Sequence, residues 1–438
     1  MPLHVPFGCR WGPVRLTGRQ KSEKSLSKGG RLFYGWIIVA AGYVVQVLNG
    51  GLLFHAFSAY VLPLQQEFGW NRTLLASAFA LIRMESGILG PLQGWMIDRF
   101  GPRRVMTVGN VLFAQVNSLT TFYAALAVVG LGSSLGGFMP IAATVTQWFA
   151  RRRSTALGIT LSGMGAGGMM VPLVVSLIAS HGWRWMATLS AVLIAALALP
   201  AAQFMRSRPE AYGQRVDGLP EPTPRFGSDS VVLQEPAFTA RQALRTRTFW
   251  MLSLVHASAL LIVGAVLVHQ IPHMVEGIGM STTAAGSVVV VLVVVVMCGQ
   301  LLGGWIGDRV NKRLIIFDAM WMHAVAMIIF AYTDSYYGAV LFAILHGAAW
   351  GVRGTLINSI RADYFGSSSF ATISGFSSLV IMIGMTSGPL FSGIVYDLTG
   401  SYRGAFVTLA ALAAVASIAA LLARPPIVTP TTELAPGT

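Results

Sequence analysis

The sequence predicts an all-α membrane protein with twelve transmembrane helices arranged as two six-helix, pseudo-symmetric bundles. Three observations carry this expectation. Of 438 residues, 54% are hydrophobic and only 11% charged, against about 25% charged in an ordinary soluble domain. The apolar residues fall in twelve runs, most near the ~20 residues a helix needs to cross a bilayer. The second half of the chain repeats the polar marks of the first at a nearly constant offset. This excludes a soluble globular enzyme, a disordered chain and a disulfide-stapled secreted domain. The runs are continuous rather than alternating, which excludes a membrane β-barrel. The 48 glycines suit helices packed closely in lipid.

Spans one to six are expected at 34–61, 73–97, 104–122, 124–147, 154–179 and 185–205. Spans seven to twelve are expected at 248–273, 282–306, 314–332, 336–360, 370–395 and 403–423. The domain plan is a basic cytoplasmic tail over 1–32, an N-terminal bundle over 33–205, a cytoplasmic linker over 206–247, a C-terminal bundle over 248–423 and a C-tail over 424–438. The tail has no apolar core and does not read as a cleavable signal peptide. Cys9 and Cys298 cannot build a disulfide framework.

The net charge of +14 invites a nucleic-acid reading, but the charges are sorted between loops. Of 30 Lys and Arg, 25 fall in the tails and in the loops that follow even-numbered spans, Arg361 among them, and only Arg72, Arg184 and Arg403 in the loops that follow odd-numbered spans. By the positive-inside rule both termini are cytoplasmic. The basic balance reports topology and contact with anionic lipid, and no nucleic-acid partner is expected.

The repeat is specific. Pro63 and Glu67 match Pro272 and Glu276. Gly94-x3-Asp98-Arg99 matches Gly304-x3-Asp308-Arg309. Phe149 matches Phe365, Pro172 matches Pro389, and Arg184 matches Arg403. Two similar bundles about an axis along the membrane normal give alternating access to a central cavity.

The stretch Gly94-Trp-Met-Ile-Asp98-Arg99-Phe-Gly101-Pro-Arg103-Arg104, echoed by Gly304-Trp-Ile-Gly-Asp308-Arg309-Val-Asn-Lys312-Arg313, resembles the loop 2–3 signature of the major facilitator superfamily. Glycine lets helices approach. The aspartate can accept from helix N-terminal amides or an arginine, and the arginines suit the headgroup level. Tyr34-Gly35-Trp36, and Trp148-Phe149-Ala150-Arg151-Arg152-Arg153 with Ala156 and Gly158, resemble the monocarboxylate transporter and oxalate/formate antiporter branch. The resemblance spans about 33–423. It implies the major facilitator fold, a cavity lined by spans one, four, seven and ten, and transport of mono- or dicarboxylates by proton symport or anion exchange. It also implies a bacterial cytoplasmic (inner) membrane and action as a monomer. The arginine such carriers place in span eight has no counterpart, since Thr282–Ile306 is uncharged.

Charged residues within spans are costly, and mark either function or fixed pairing. Arg353 in span ten shares a face with His346 and Trp350, at i, i+4 and i+7. A guanidinium there can hold a carboxylate through two parallel hydrogen bonds; the bland alternative is a structural ion pair. Arg83 and Glu85 in span two do not face each other. Arg83 reads as an anion contact and Glu85 as a proton carrier, or both as fixed ion-pair members. In span one, Asn49 is a substrate contact or satisfies nearby backbone, with Gln46 ranked below it. His269 and His273, near Glu276 at the end of span seven, read as interfacial polar residues or proton carriers; a metal site is not expected. His256 and His323 read as packed helix contacts. The glycines of spans five and eleven are expected to bring the bundles together, with Pro172 and Pro389 supplying bends. No nucleophile–base arrangement or nucleotide site is present, so neither an enzyme nor a cofactor is expected. Two further readings stand beside organic-anion transport: export of an amphiphile along the valine-rich span eight, and a non-transporting membrane sensor.

Overall fold

The computed structural model describes residues 33–55, 137–218 and 238–426, together with Pro63, Glu67, Ile88, Pro91, Leu92, Trp95 and Arg99. Eight helices among the described residues are long and apolar enough to cross a membrane. Spans two and three and the first part of span four lie outside the described residues.

Span one is α-helical over Tyr34–Leu48 and continues as a π-helix over Asn49–Phe54. The wider turn falls where the chain meets span five. A Cβ on Gly51 would sit 2.8 Å from the Gly167 carbonyl oxygen, closer than van der Waals contact allows. Span four ends as Phe138–Trp148. Span five, expected as one run, is two helices, Arg153–Gly168 and Val171–His181, broken at Met169 and Met170. Pro172 lies in the first turn of the second helix, where a missing N–H costs nothing. Span six is Trp183–Leu193, a π-turn over Ile194–Ala198 and Leu199–Gln203.

The C-terminal spans are more regular. Span seven is Arg247–Pro272 followed by a π-turn over His273–Gly277. Spans eight to twelve are Thr282–Gly307, Lys312–Tyr332, Tyr336–Phe365, Phe370–Thr399 and Arg403–Leu422. Thr246, Ser281, Asn311 and Ser335 each accept a backbone N–H at the start of spans seven to ten. A cap of this kind contributes about 1 kcal/mol. Pro389 sits within span eleven without interrupting it.

Glycine placement corrects one expectation. In spans five and eleven most of these glycines do not join the two halves. Gly163 packs on Tyr43 and Gly167 on Val47 of span one, while Gly384 packs on Ala257 and Gly388 on Leu261 of span seven. The contacts are intra-bundle and equivalent in the two halves. Two other positions bring the halves together. Gly158 of span five meets the Gln300 carbonyl of span eight, and Gly304 of span eight meets Ser154 and Thr155. Spans eight and ten approach through Gly299, Gly303, Gly347 and Gly351. The valine run of span eight is divided: Val288, Leu292 and Val296 are buried in the core, while Val290 and Val294 are exposed.

The two motifs that carry the branch resemblance meet in space. Phe33 and Tyr34 pack on Trp148, and Trp36 meets Phe149 at 5.0 Å between ring centroids. A Cβ on Gly35 would lie 2.9 Å from the Phe149 ring. The C-terminal half repeats the arrangement. Phe33 meets Phe149 edge-on at 5.4 Å, and Phe238 meets Phe365 edge-on at 5.6 Å. The described ends of the linker are therefore docked. Phe238 N–H donates to the Phe365 carbonyl, and Asp217 accepts from the Ala150 and Arg151 amides.

These close approaches make glycines unequal in one helix. Gly351→Val forces a side chain into the backbone of span eight at Val296 and should cost about 1–3 kcal/mol. Gly354→Ala meets only the Trp350 ring, at 4.0 Å, and should be neutral or stabilising by up to about 1 kcal/mol. Thermal unfolding of the two variants in detergent checks the contrast.

Candidate transport site

Span ten carries the centre of the site. Its glycines seat it against span eight, and its long buried stripe includes His346 and Arg353, both with no exposed surface. Trp350, between them, is half-buried. His346 stacks on Phe342 at 5.3 Å, and its ring centroid lies 6.3 Å from that of Trp350. The Arg353 Nε and Nη1 have no hydrogen-bond partner. Among the described residues no carboxylate forms an ion pair with it. Its charge acts on His256, His323 and His346, which share this region.

Other buried polar atoms are also unpartnered. They include both amide atoms of Gln46 in span one, Gln147 Oε1 in span four, Gln270 Oε1 and His256 Nδ1 in span seven, and His346 Nε2 in span ten. Gln300 Oε1, His323 Nε2 and hydroxyls of Ser190, Ser374 and Ser392 complete the set. An unsatisfied buried polar group costs about 1–3 kcal/mol, so each marks a place that water or a ligand can complete. Asn49 opens the π-turn of span one and is 9% exposed. Gln46, fully buried and ranked below it from sequence, has the more isolated amide.

His269 and His273 hold helices together. A carbonyl only accepts, so His269 Nε2–H donates to Pro389 O at 2.9 Å, and His273 Nε2–H donates to Phe330 O at 2.8 Å. His269 Nδ1 is 3.2 Å from the Tyr402 hydroxyl. His323, read from sequence as a packing residue, instead faces His346, with Nδ1 to Nδ1 at 3.2 Å.

The basic end is shut by polar contacts between the halves. Asp308, at the end of span eight, accepts from the Ser154 and Thr155 amides at 2.8 and 2.9 Å and from the Thr155 hydroxyl at 2.6 Å. It thus caps the N-terminus of span five, where free N–H groups and the helix dipole favour negative charge. Ser154 and Ser359 hydroxyls meet at 2.8 Å. Arg153, 3% exposed, donates to Asp363 at 2.7 Å and to the Phe149 and Thr146 carbonyls. Lys312 pairs with the other oxygen of Asp363. Ala362, Phe370 and Ala371 from the C-terminal half join the apolar cluster of the N-terminal half beside these contacts.

Sequence reasoning missed Asp363 and Arg153 as a pair. The available signal was an acidic residue at the end of span ten in a chain with only 16 Asp and Glu. It also placed Arg361 in a loop. Arg361 lies in the last turns of span ten, 2% exposed, and donates to Ser377 Oγ at 2.9 Å. The helix runs five residues past the expected end, with Arg361 facing span eleven of its own half and Asp363 facing Arg153 of the other. Arg309 lies over the Trp305 ring and donates to its carbonyl. Arg313 is half-buried, and Arg99 is exposed. Arg83, Glu85, Gly94, Asp98, Arg103 and Arg104 lie outside the described residues.

At the opposite end the repeated residues diverge. Glu67 pairs with Arg184 and accepts from the Trp183 indole N–H. The Arg184 guanidinium, then the indole, hold its carboxyl below the ordinary glutamate range. That stabilisation is complete above the usual glutamate pKa and is lost as pH falls through the lowered value. Glu276 instead accepts from Tyr396. Arg403 turns to the Ala331 carbonyl and the Tyr332 ring. Glu276, Tyr396 and Arg403 help line a cavity of about 190 Å³.

Eight described helices long and apolar enough to cross a membrane, with a buried cation that no described carboxylate pairs, fit a membrane carrier. The family model of the Major Facilitator Superfamily matches residues 40–352 and 270–437, and the chain belongs to that family. Monocarboxylate transporter 11 of Mus musculus is 26% identical over 85% of this chain and 84% of its own length. A protein of Cupriavidus necator described as a probable sulfoacetate transporter is 24% identical over 83% of this chain and 87% of its own. The relatives place the chain in the monocarboxylate transporter branch. Among solved structures, the human organic anion transporter MFSD10 matches with a TM-score of 0.69 at 16% identity, covering 88% of this chain and 99% of that one. The Escherichia coli fucose:proton symporter matches with a TM-score of 0.65 at 16% identity, covering 90% and 100%. The chain is thus a multi-pass membrane transporter.

The contacts at the basic end set a testable order. Asp363→Ala strips a buried guanidinium of its carboxylate and should lower stability by about 3 kcal/mol, seen as a lower unfolding midpoint. Asp308→Ala removes three hydrogen bonds worth about 1 kcal/mol each. It should let a thiol reagent reach a cysteine at position 359 at least about tenfold faster, in a Ser359→Cys chain with Cys9 and Cys298 changed to serine.

Proposed function

We propose that the protein is a secondary transporter of small organic anions, mono- or dicarboxylates, working by alternating access, with Arg353 as the anion anchor. One observation carries this reading: a fully buried guanidinium with two nitrogens unpartnered and no carboxylate paired to it among the described residues. A cation in that position is completed by a bound carboxylate, through charge-assisted hydrogen bonds. The names of the relatives agree with it, since they include monocarboxylate and sulfoacetate transporters. The absence of charge from span eight fits an anchor moved to span ten.

In this mechanism the bundles over 33–205 and 248–423 rock about the cavity. The basic end faces the cytoplasm with both termini, in a bacterial inner membrane, and basic residues such as Arg309 meet anionic lipid. The conformation described above is closed on that side, so the anion reaches Arg353 from outside, past Asn49 and Gln46 of span one and Trp350 of span ten. Neutralising the buried cation lowers the cost of enclosing the site. Release of Asp308 from span five and of Asp363 from Arg153 then opens the cytoplasmic side. Arg83, Glu85 and the loop residues Asp98, Arg103 and Arg104 are assigned matching roles in the N-terminal bundle. The carrier acts as a monomer, with protons as a second cargo.

Counterflow in proteoliposomes tests the reading with labelled lactate, pyruvate, oxalate, formate and sulfoacetate and a neutral control. Wild type should take up at least one carboxylate. Arg353→Gln should lose roughly 10–100-fold of that uptake, the value of a charge-assisted pair, with protein intact. Uptake that survives the substitution moves the anchor elsewhere, and no carboxylate uptake at all favours amphiphile export or sensing.

A further inference from the structure

Two buried histidines behind the anion anchor form a unit that packing alone does not require. His323 of span nine and His346 of span ten have no exposed surface. Their Nδ1 atoms are 3.2 Å apart, and both Nε2 atoms lack a partner. For the Nδ1–Nδ1 contact to be a hydrogen bond, one ring must carry its proton on Nδ1 and the other on Nε2. The pair then has one bare Nε2 lone pair and one Nε2–H. It can take up one proton and no more, because a second would set two Nδ1–H donors against each other.

We propose that the His323–His346 pair is the proton-coupling site of the transporter, loaded when a carboxylate occupies Arg353. This rests on the reading of Arg353 as the anion anchor. The ionisable groups around the pair are few. Arg353 from span ten acts on both rings, and His256 of span seven feels the same charge together with Arg361. On span nine, Asp318 is exposed; on span eight the only ionisable side chain is the exposed Cys298; on span twelve it is Arg403, at the first residue. Among the described residues no acid offsets Arg353, and a carboxylate bound there places its negative charge two helical turns from His346 on the same span.

The charge balance closes. The empty site carries the single positive charge of Arg353. A carboxylate brings it to zero, and a proton restores one positive charge. The empty and the doubly loaded carrier therefore enclose the same net charge, whereas the carrier with anion alone does not. The proton comes from water on the outer side and adds to the Nε2 lone pair of the ring that donates its Nδ1–H, forming an imidazolium. It leaves to water on the inner side after the anion departs, and no bond of the cargo changes.

His323 is the position to alter, because it faces His346 from span nine rather than from a cavity-lining span. In proteoliposomes carrying the same carboxylate panel, wild-type uptake should rise as the outer pH falls, with alkalinisation outside. His323→Met removes the acceptor of the charged hydrogen bond. It should move the midpoint of that profile down by about one pH unit or more, a tenfold loss of proton affinity. An unchanged midpoint with undiminished proton movement overturns the proposal. Selective ¹⁵N labelling of histidine gives a readout independent of transport and of the variant. The wild-type pair should show one Nδ1–H and one Nε2–H tautomer, and two identical tautomers overturn the proposal. If no carboxylate shows counterflow in wild type, the anchor reading fails on its own result, and the tautomer pattern still decides whether the pair shares a proton.

Discussion

A helix inside a bilayer satisfies its own backbone, and its side chains must then find partners within the protein. That constraint organises this chain. Its spans are apolar, its glycines let backbones touch, and the polar residues it does bury mostly have partners. Arg153 has three acceptors, and Asp308 has three donors. Arg353 is the exception. It is held in the middle of a long helix, and among the described residues no acid pairs with it. His346, two turns away on the same helix, also carries an unpartnered nitrogen. Among the described residues Arg353 is the one buried cation with side-chain nitrogens left unpartnered.

The two halves are variations on one plan, and their differences are informative. Both set an aromatic pair at the basic end, and both seat a glycine-bearing span on the first span of their bundle. The opposite end differs. Glu67 is clamped by Arg184 and Trp183, whereas Glu276 meets only Tyr396 and Arg403 turns away to a carbonyl. The shared helix plan tolerates this divergence because loop-end contacts are made by long side chains with several alternative acceptors. The helix–helix seams have no such freedom, since backbone meets backbone there.

The basic end joins the halves by a mechanism that separates easily. Its contacts are a carboxylate on helix amides, a hydroxyl pair and an ion pair with a shared aspartate. Ala362, Phe370 and Ala371 add an apolar part to this seam, so parting the halves also exposes these residues. The glycines at Gly158 and Gly304 let the helices come close enough for those polar groups to reach. Strong contacts within each half and short polar ones between halves are what a rocking carrier requires.

The sequence by itself determined the membrane class, the repeat, the family and, for the spans the structure describes, their positions to within a few residues, because hydrophobic run length and charge sorting are local properties of the chain. It also marked Arg353, because a cation in an apolar run is conspicuous wherever the helix packs. Only the tertiary structure decided what each polar residue faces. Arg361 moved from an expected loop into a buried helix end, and His323 from packing to a histidine pair. Gly163, Gly167, Gly384 and Gly388 turned inward to their own bundles. Asp363, unremarkable in sequence, became the acid that joins Arg153 to Lys312. The physical reason is common to all of these. A helix presents side chains around its whole circumference, and which neighbour lies on each side is set by packing between segments far apart in the chain, which no local pattern encodes.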